Sequence, residues 1–99
     1  MPEDPRGSSN RWLTCMLVDP SSASADREQL RLTLDSHNIE SRPLWKPMHL
    51  QPLFRQTRKV GGELSERLFA DGLCLPSGSG MTRTDRDRVI QILKDALSQ

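Results

Sequence analysis

Three prolines within eleven positions constrain the folding of this chain more than any other feature of its sequence. Pro43, Pro47 and Pro52 all lie in the segment from Arg42 to Pro52. Each proline fixes its own φ angle, lacks a backbone N–H donor and disfavours a helical conformation in the residue before it. These prolines exclude a regular helix here, so we expect a stiff, extended loop in the middle of the chain.

The same loop contains side chains that are suited to recognition. Arg42 and Lys46 are cations, Trp45 is a large aromatic residue and His49 contributes an imidazole. A stiff loop loses little conformational freedom on binding, so it can present these groups to a ligand at low entropic cost. The alternative is a rigid connector, in which Trp45 and Met48 fill the core and the two cations are solvated.

Composition and cysteine content argue against several functional classes. Fourteen basic and thirteen acidic residues among 99 give a formal charge of +1, so we expect no nucleic-acid partner. No apolar run is long enough for a membrane span or a signal peptide, which predicts a cytoplasmic protein without membrane contact. Cys15 and Cys74 lie on two predicted strands and could form a disulfide if these are neighbours, but a cytoplasmic setting favours two buried free thiols. The two histidines are not spaced with the cysteines as in a zinc site, so we expect no metal.

The order of predicted elements indicates one α+β domain. Residues 1–10 contain two prolines and no apolar period and are expected to form a disordered leader, and residues 11–99 the domain. Apolar runs and periodicity predict strands at 11–18 and 73–75, an extended segment at 39–42, and helices at 25–36, 63–70 and 82–97. We expect two layers, with a sheet of three or four strands covered by helices on one face. Because strand 11–18 is apolar on both faces, the second sheet face is expected to contact a further domain.

Local signals predict where the helices begin and end. Ser21 to Ser24 offer N-cap oxygens for the first helix, and Asn38 is a suitable left-handed stop. Gly72 stands where a C-cap glycine belongs, and Thr82 with Asp85 resembles a capping box. The turn at 77–80 contains two glycines before a helix and could bind an anion, but its spacing matches no phosphate-binding motif, which favours a structural turn.

Two segments resemble a known family. Residues 39–52, which read Ile-Glu-Ser-Arg-Pro-Leu-Trp-Lys-Pro-Met-His-Leu-Gln-Pro, are similar to a stretch in the C-terminal small domain of the pyridoxal phosphate (PLP) dependent nucleotide-sugar aminotransferases of the DegT/DnrJ/StrS family. Residues 72–78, Gly-Leu-Cys-Leu-Pro-Ser-Gly, resemble the family's last strand and turn. The resemblance covers roughly residues 10–99. It implies the small-domain fold of fold-type-I PLP enzymes.

The resemblance also implies a function. Enzymes of this family transfer an amino group from glutamate through PLP to a keto-sugar nucleotide. The sequence of residues 39–52 is most similar to that of members that use a UDP-4-keto-6-deoxy-N-acetylhexosamine in polysaccharide or glycan biosynthesis. By this resemblance Trp45 and His49 would line the sugar pocket, and Arg42 and Lys46 would face phosphate or carboxylate groups. Met48 would pack beneath them.

The chain is much shorter than a complete enzyme of that family. Its lysines, Lys46, Lys59 and Lys94, lack the desolvated setting that Schiff-base chemistry requires, so we expect no catalytic residue and no cofactor site in this chain. PLP would belong to a missing large domain, and the full-length enzyme would be a homodimer. The isolated chain is expected to be inactive. The alternative is a free-standing binding or interaction module derived from such a domain.

Overall fold

The structure, a computed structural model, describes residues 3–98. Its elements follow one another in the predicted order. They are β1 (Thr14–Leu17), α1 (Arg27–Ser36), β2 (Arg42–Pro43), two short 3₁₀ turns (Met48–Leu50 and Pro52–Phe54), α2 (Glu63–Asp71), β3 (Gly72–Leu75) and α3 (Arg83–Leu97). The first strand is shorter than predicted, because residues 11–13 extend beyond the end of its partner strand.

The strands form one antiparallel sheet, with β3 in the middle between β1 and β2. Cys15 lies opposite Cys74 and Met16 opposite Leu73 on one side of β3. On its other side, Arg42 lies opposite Cys74. The predicted sheet is confirmed with three strands within residues 3–98.

The core lies between one face of this sheet and the helices α1 and α3. It consists of Val18, Leu30, Leu34, Ile39, Leu73, Val89 and Leu93. Leu30 and Leu34 come from α1, and they lie on one helix face because they are four residues apart. α2 contributes no buried residue. The predicted two-layer α+β architecture is therefore confirmed, with α1 and α3 as the helical layer.

A reciprocal side-chain cap begins α1, and a left-handed residue ends it. Asp26 is the N-cap: its carboxylate accepts from the Gln29 amide at 2.8 Å, and its own amide donates to the Gln29 side chain at 2.8 Å. The prediction of an N-cap at residues 21–24 is wrong, because only Asp26 has a partner three residues later that completes the box. The predicted stop at Asn38 is confirmed, since its φ is +57° and Ile39 donates to the Leu34 carbonyl at 2.9 Å.

Two other predicted boundaries, the start of α3 and the end of α2, are confirmed. The capping box of α3 is confirmed, because the Asp85 amide donates to Thr82 Oγ1 at 3.1 Å and the Thr82 amide donates to Asp85 Oδ2 at 3.0 Å. Gly72 is the C-cap of α2, as predicted, but its φ of −94° is not left-handed, because it begins β3 directly after the helix. Glycine is needed there for space, since a Cβ would lie 2.1 Å from Leu44 Cδ1 and 2.3 Å from the Leu68 carbonyl oxygen.

The segment before β1 is exposed. Residues 3–10 form no helix or strand, and Arg6 pairs with Asp4 at 2.8 Å. The predicted disorder of residues 1–10 stays a prediction, and its first two residues lie outside the described range. Between residues 3 and 98, no helix combines the length and the apolar character needed to cross a membrane.

Candidate functional site

The loop from Arg42 to Pro52 begins as the edge strand β2 and continues along the sheet. The Leu44 amide donates to the Gly72 carbonyl at 3.2 Å, which extends the pairing beyond β2. Two 3₁₀ turns follow, and the first closes with a bond from the Leu50 amide to the Pro47 carbonyl at 3.0 Å. The prediction that this loop contains no regular helix is confirmed, and its stiffness stays a prediction.

Trp45 projects from this loop into solvent, with 65% of its surface exposed. Its ring lies 6.0 Å from that of Trp12, at an interplanar angle of 37°. Trp12 comes from the segment before β1 and is also largely exposed. The two rings form an accessible aromatic pair, which provides flat apolar area for a ligand.

A cleft of about 570 Å³ opens beside the start of the loop. Its wall consists of residues 38–43, Trp45, residues 74–78, Leu13, and Met81, Asp85, Arg88 and Val89 at the α3 end. Ser41 Oγ is buried in this wall and has no hydrogen-bond partner within residues 3–98. The cleft therefore combines apolar walls with a few polar groups, as small-molecule sites do.

The charged groups at the cleft differ in how strongly they are engaged. Arg42 pairs with Glu40 at 2.6 Å, and both side chains are exposed. Arg88 donates to the carbonyl oxygen of His37. The hydrogen bonds from Thr82 lower the pKa of Asp85, which is used as a cap. Since an exposed ion pair contributes little free energy, Arg42 is the group that an anionic ligand could recruit most easily.

His49 lies away from the cleft, against the first turn of α2. Its Nε2 atom is 2.6 Å from Glu66 Oε1, and only 15% of its side chain is exposed. Lys59 Nζ is 3.6 Å from the same carboxylate oxygen. The hydrogen bond from His49, with a smaller contribution from Lys59, lowers the pKa of Glu66. A Cβ at Gly62 would lie 2.8 Å from His49 Cε1, so this glycine leaves room for the imidazole.

The structure separates the four predicted substrate-binding residues into two groups. Arg42 and Trp45 line the cleft, whereas Lys46 and His49 do not. Lys46 is exposed, and its carbonyl accepts from the Gln51 side chain at 3.1 Å. A role in substrate binding stays a prediction for each of the four. The prediction that Met48 packs beneath them is wrong, because the 3₁₀ turn directs His49 inward and leaves Met48 63% exposed.

Sequence reasoning did not find several residues at this site. Glu66 is seventeen positions from His49, and no local pattern links the two. The buried hydroxyl of Ser41 was also missed, since nothing in the sequence distinguishes it from other serines. The apolar run at 11–18 predicts only a strand position for Trp12, although an aromatic residue at the start of such a run is a candidate partner for Trp45.

Cys15 and Cys74 are free thiols, as predicted, but they are half-buried rather than buried. Their sulfur atoms are 3.6 Å apart. Burial, together with the neighbouring thiol of Cys15, raises the pKa of Cys74 to about 11. Over the described range, 3–98, no three His, Cys, Asp or Glu side chains are grouped so that they could hold a metal ion.

Comparison with known proteins identifies the family. Residues 1–94 match the model of the DegT/DnrJ/EryC1/StrS aminotransferase family. EpsN of Bacillus subtilis (strain 168), which its name proposes to be a pyridoxal phosphate-dependent aminotransferase, is 46% identical over 97 residues, or 94% of this chain and 24% of EpsN. GDP-perosamine synthase of Caulobacter vibrioides is 39% identical over 74 residues, or 75% of this chain and 20% of that protein.

Solved structures share the fold. A DegT DnrJ EryC1 StrS aminotransferase from Brucella abortus aligns with a TM-score of 0.79 at 24% identity, over 99% of this chain and 26% of its own. The aminotransferase TlmJ from Streptoalloteichus hindustanus aligns with a TM-score of 0.80 at 20% identity, over 99% of this chain and 25% of its own. The chain spans about a quarter of the length of these relatives. It belongs to the DegT/DnrJ/EryC1/StrS aminotransferase family.

Proposed function

We propose that this chain is the small C-terminal domain of a PLP-dependent sugar aminotransferase, and that it forms one wall of the sugar-nucleotide site. The observation that supports this most strongly is that Trp45 and Arg42 both line the cleft, on a loop whose start is paired with β3. In this proposal residues 11–99 form the domain.

The chemistry of the cleft suits a sugar nucleotide. The exposed rings of Trp45 and Trp12 provide a flat apolar surface for a base or a sugar ring. Arg42 can exchange its exposed partner Glu40 for a phosphate group, which guanidinium binds through two parallel hydrogen bonds. Lys46, exposed on the same loop, would add a second positive charge near the phosphates.

Two classes of sugar nucleotide are candidates for the substrate. The sequence of residues 39–52 favours a UDP-4-keto-6-deoxy-N-acetylhexosamine, with glutamate as the amino donor, in polysaccharide or glycan biosynthesis. A GDP-sugar is the second candidate, because two relatives, one from Caulobacter vibrioides and one from Vibrio cholerae, are named GDP-perosamine synthase. The Vibrio protein is 28% identical over 85 residues, or 85% of this chain and 23% of that protein.

The residues of this chain do not fit PLP. A Schiff-base lysine needs a desolvated amine, but Lys46 and Lys94 are exposed and Lys59 is 53% exposed beside Glu66. We therefore place the cofactor, and all catalytic residues, in the part of the enzyme that this chain does not span. The isolated chain would be inactive, and the whole enzyme would be a cytoplasmic homodimer.

Calorimetric titration of the chain with UDP-N-acetylglucosamine, and in parallel with GDP-mannose, tests the proposed binding surface. We expect binding to the wild type and at least about fivefold weaker binding to Trp45→Ala, since stacking on an aromatic side chain contributes about 1–3 kcal/mol. Leu53→Ala is the control, because Leu53 is similarly exposed but lies outside the cleft. Equal affinities of Trp45→Ala and the wild type would contradict the proposal, as would the absence of binding by the wild type.

Absorbance spectroscopy tests the proposed absence of a cofactor site. Adding PLP to the chain should give only the spectrum of the free aldehyde and its non-specific adducts. A protonated Schiff-base band that disappears when one particular lysine of the three is replaced would show that the chain holds PLP itself.

A further inference from the structure

Cys15 and Cys74 are placed as a disulfide would require. They lie directly opposite each other on the antiparallel strands β1 and β3. Opposite residues in such a pair have Cα atoms about 4.5–5.5 Å apart, which falls within the range that a disulfide bridges. Their sulfur atoms are already in contact at 3.6 Å. Rotation of the two side chains, without movement of the strands, can therefore bring the sulfurs to bonding distance.

We propose that Cys15 and Cys74 form a redox modification site, at which a small-molecule disulfide converts the two thiols into an intrachain disulfide. This inference does not depend on the proposed function. It rests on the register of the two strands, the contact between the sulfurs and a path to one of them from solvent.

The cleft provides that path. Cys74 belongs to its wall, and about 570 Å³ is enough space for one end of a small disulfide. Neither thiol is fully buried, so both sulfurs can take part in exchange. Burial and the neighbouring Cys15 raise the pKa of Cys74 to about 11, so Cys74 is a protonated thiol at neutral pH and must lose its proton before it reacts.

The reaction is a pair of thiol–disulfide exchanges. One protein thiol loses its proton and attacks a sulfur of the small disulfide, which forms a mixed disulfide and releases one small thiolate. The second protein thiol then loses its proton and attacks the protein sulfur of the mixed disulfide, which releases the second small thiolate. The two protons neutralise the two thiolates. The cysteines are oxidised by two electrons in total, and the small disulfide is reduced to two thiols.

The bridge would connect residues 59 positions apart in the chain and join two adjacent strands of the sheet. A disulfide across so long a segment restricts the unfolded chain, and in a well-placed pair it raises the stability of the folded state. Oxidation should therefore raise the melting temperature.

Peptide mapping tests the bridge directly. The wild-type chain is treated with excess oxidised glutathione, blocked with an alkylating agent and digested with trypsin without reduction. Cleavage after Arg11, Arg27, Arg67 and Arg83 should give one disulfide-linked species that contains residues 12–27 and 68–83. Recovery of these peptides only as alkylated thiols, glutathione adducts or links between two chains would overturn the proposal.

The melting temperature provides a second measurement. The oxidised chain should melt at least about 5 °C higher than the reduced chain, and a reducing agent should reverse the shift. Cys15→Ser, treated in the same way, should show no such increase. A bridge that left the melting temperature unchanged or lowered it would show that the two cysteines are not pre-positioned for the bond.

Discussion

At the scale of single residues, His49 attaches the second half of the loop to α2. Its ring lies between Glu66 and the space that Gly62 leaves free. Gly62 has a φ of +112°, a backbone conformation that residues other than glycine rarely adopt. The sequence identified His49 as a notable residue but not its partner, because the pairing depends on how α2 packs and not on any local spacing.

Glu66→Gln should change how stability depends on pH. The His49 hydrogen bond lowers the pKa of Glu66 in the folded state, so this carboxylate stabilises the fold above its unfolded pKa, and that contribution is lost as pH falls through the folded value. Urea unfolding midpoints measured from neutral pH to below about 4.3, the ordinary value for glutamate, should fall more for the wild type than for Glu66→Gln.

Glu63→Gln is the matched control for that experiment, because Glu63 belongs to the same first turn of α2. Its pH profile should follow that of the wild type. If the profiles of wild type and Glu66→Gln were parallel, the bond between His49 and Glu66 would not contribute to stability in solution.

Gly72→Ala should destabilise the fold. The new methyl group would lie 2.1 Å from Leu44 Cδ1 and 2.3 Å from a backbone oxygen, so both the loop and α2 would have to shift. Overpacking of this kind costs about 1–3 kcal/mol, measured as the free energy of unfolding in urea. Gly78→Ala, which meets no atom within 4 Å, should change stability little; similar losses in both variants would refute the steric explanation.

At the scale of elements, α1 shows which parts of the fold a sequence can predict. Its apolar face at Leu30 and Leu34 and its end at Asn38 follow from local periodicity and from the preference of asparagine for the left-handed region. Its N-cap at Asp26 does not follow from the sequence, because three serines nearby offer the same chemistry. β2 is two residues long, and its place at the edge depends on β3, thirty residues later.

Leu30→Ala should cost about 2–5 kcal/mol, because it removes a fully buried side chain from the core between the sheet and α3. Leu32→Ala, on the same helix, is the comparison: Leu32 is 52% exposed, and its truncation should cost less than half as much. Chemical denaturation of both variants measures the difference. Equal losses would mean that α1 does not bury the face that the structure assigns to the core.

At the scale of the whole molecule, the helical layer covers only one face of the sheet. Several apolar side chains remain exposed, among them Trp12, Leu17, Trp45 and Met48. The chain corresponds to about a quarter of its relatives. We propose that the large domain of the same enzyme covers part of this surface and completes the cleft. The position of that domain could not be predicted from the sequence, since it depends on residues that this chain does not contain.

The central claim is that the cleft beside Trp45 and Arg42 is one wall of a sugar-nucleotide site. Chemical-shift mapping of the isotope-labelled chain during titration with UDP-N-acetylglucosamine tests it most directly. We predict that the largest shifts occur at the Trp45 indole, the Arg42 side chain and residues 74–78. Shifts concentrated on α2, or no shifts at all, would contradict the claim.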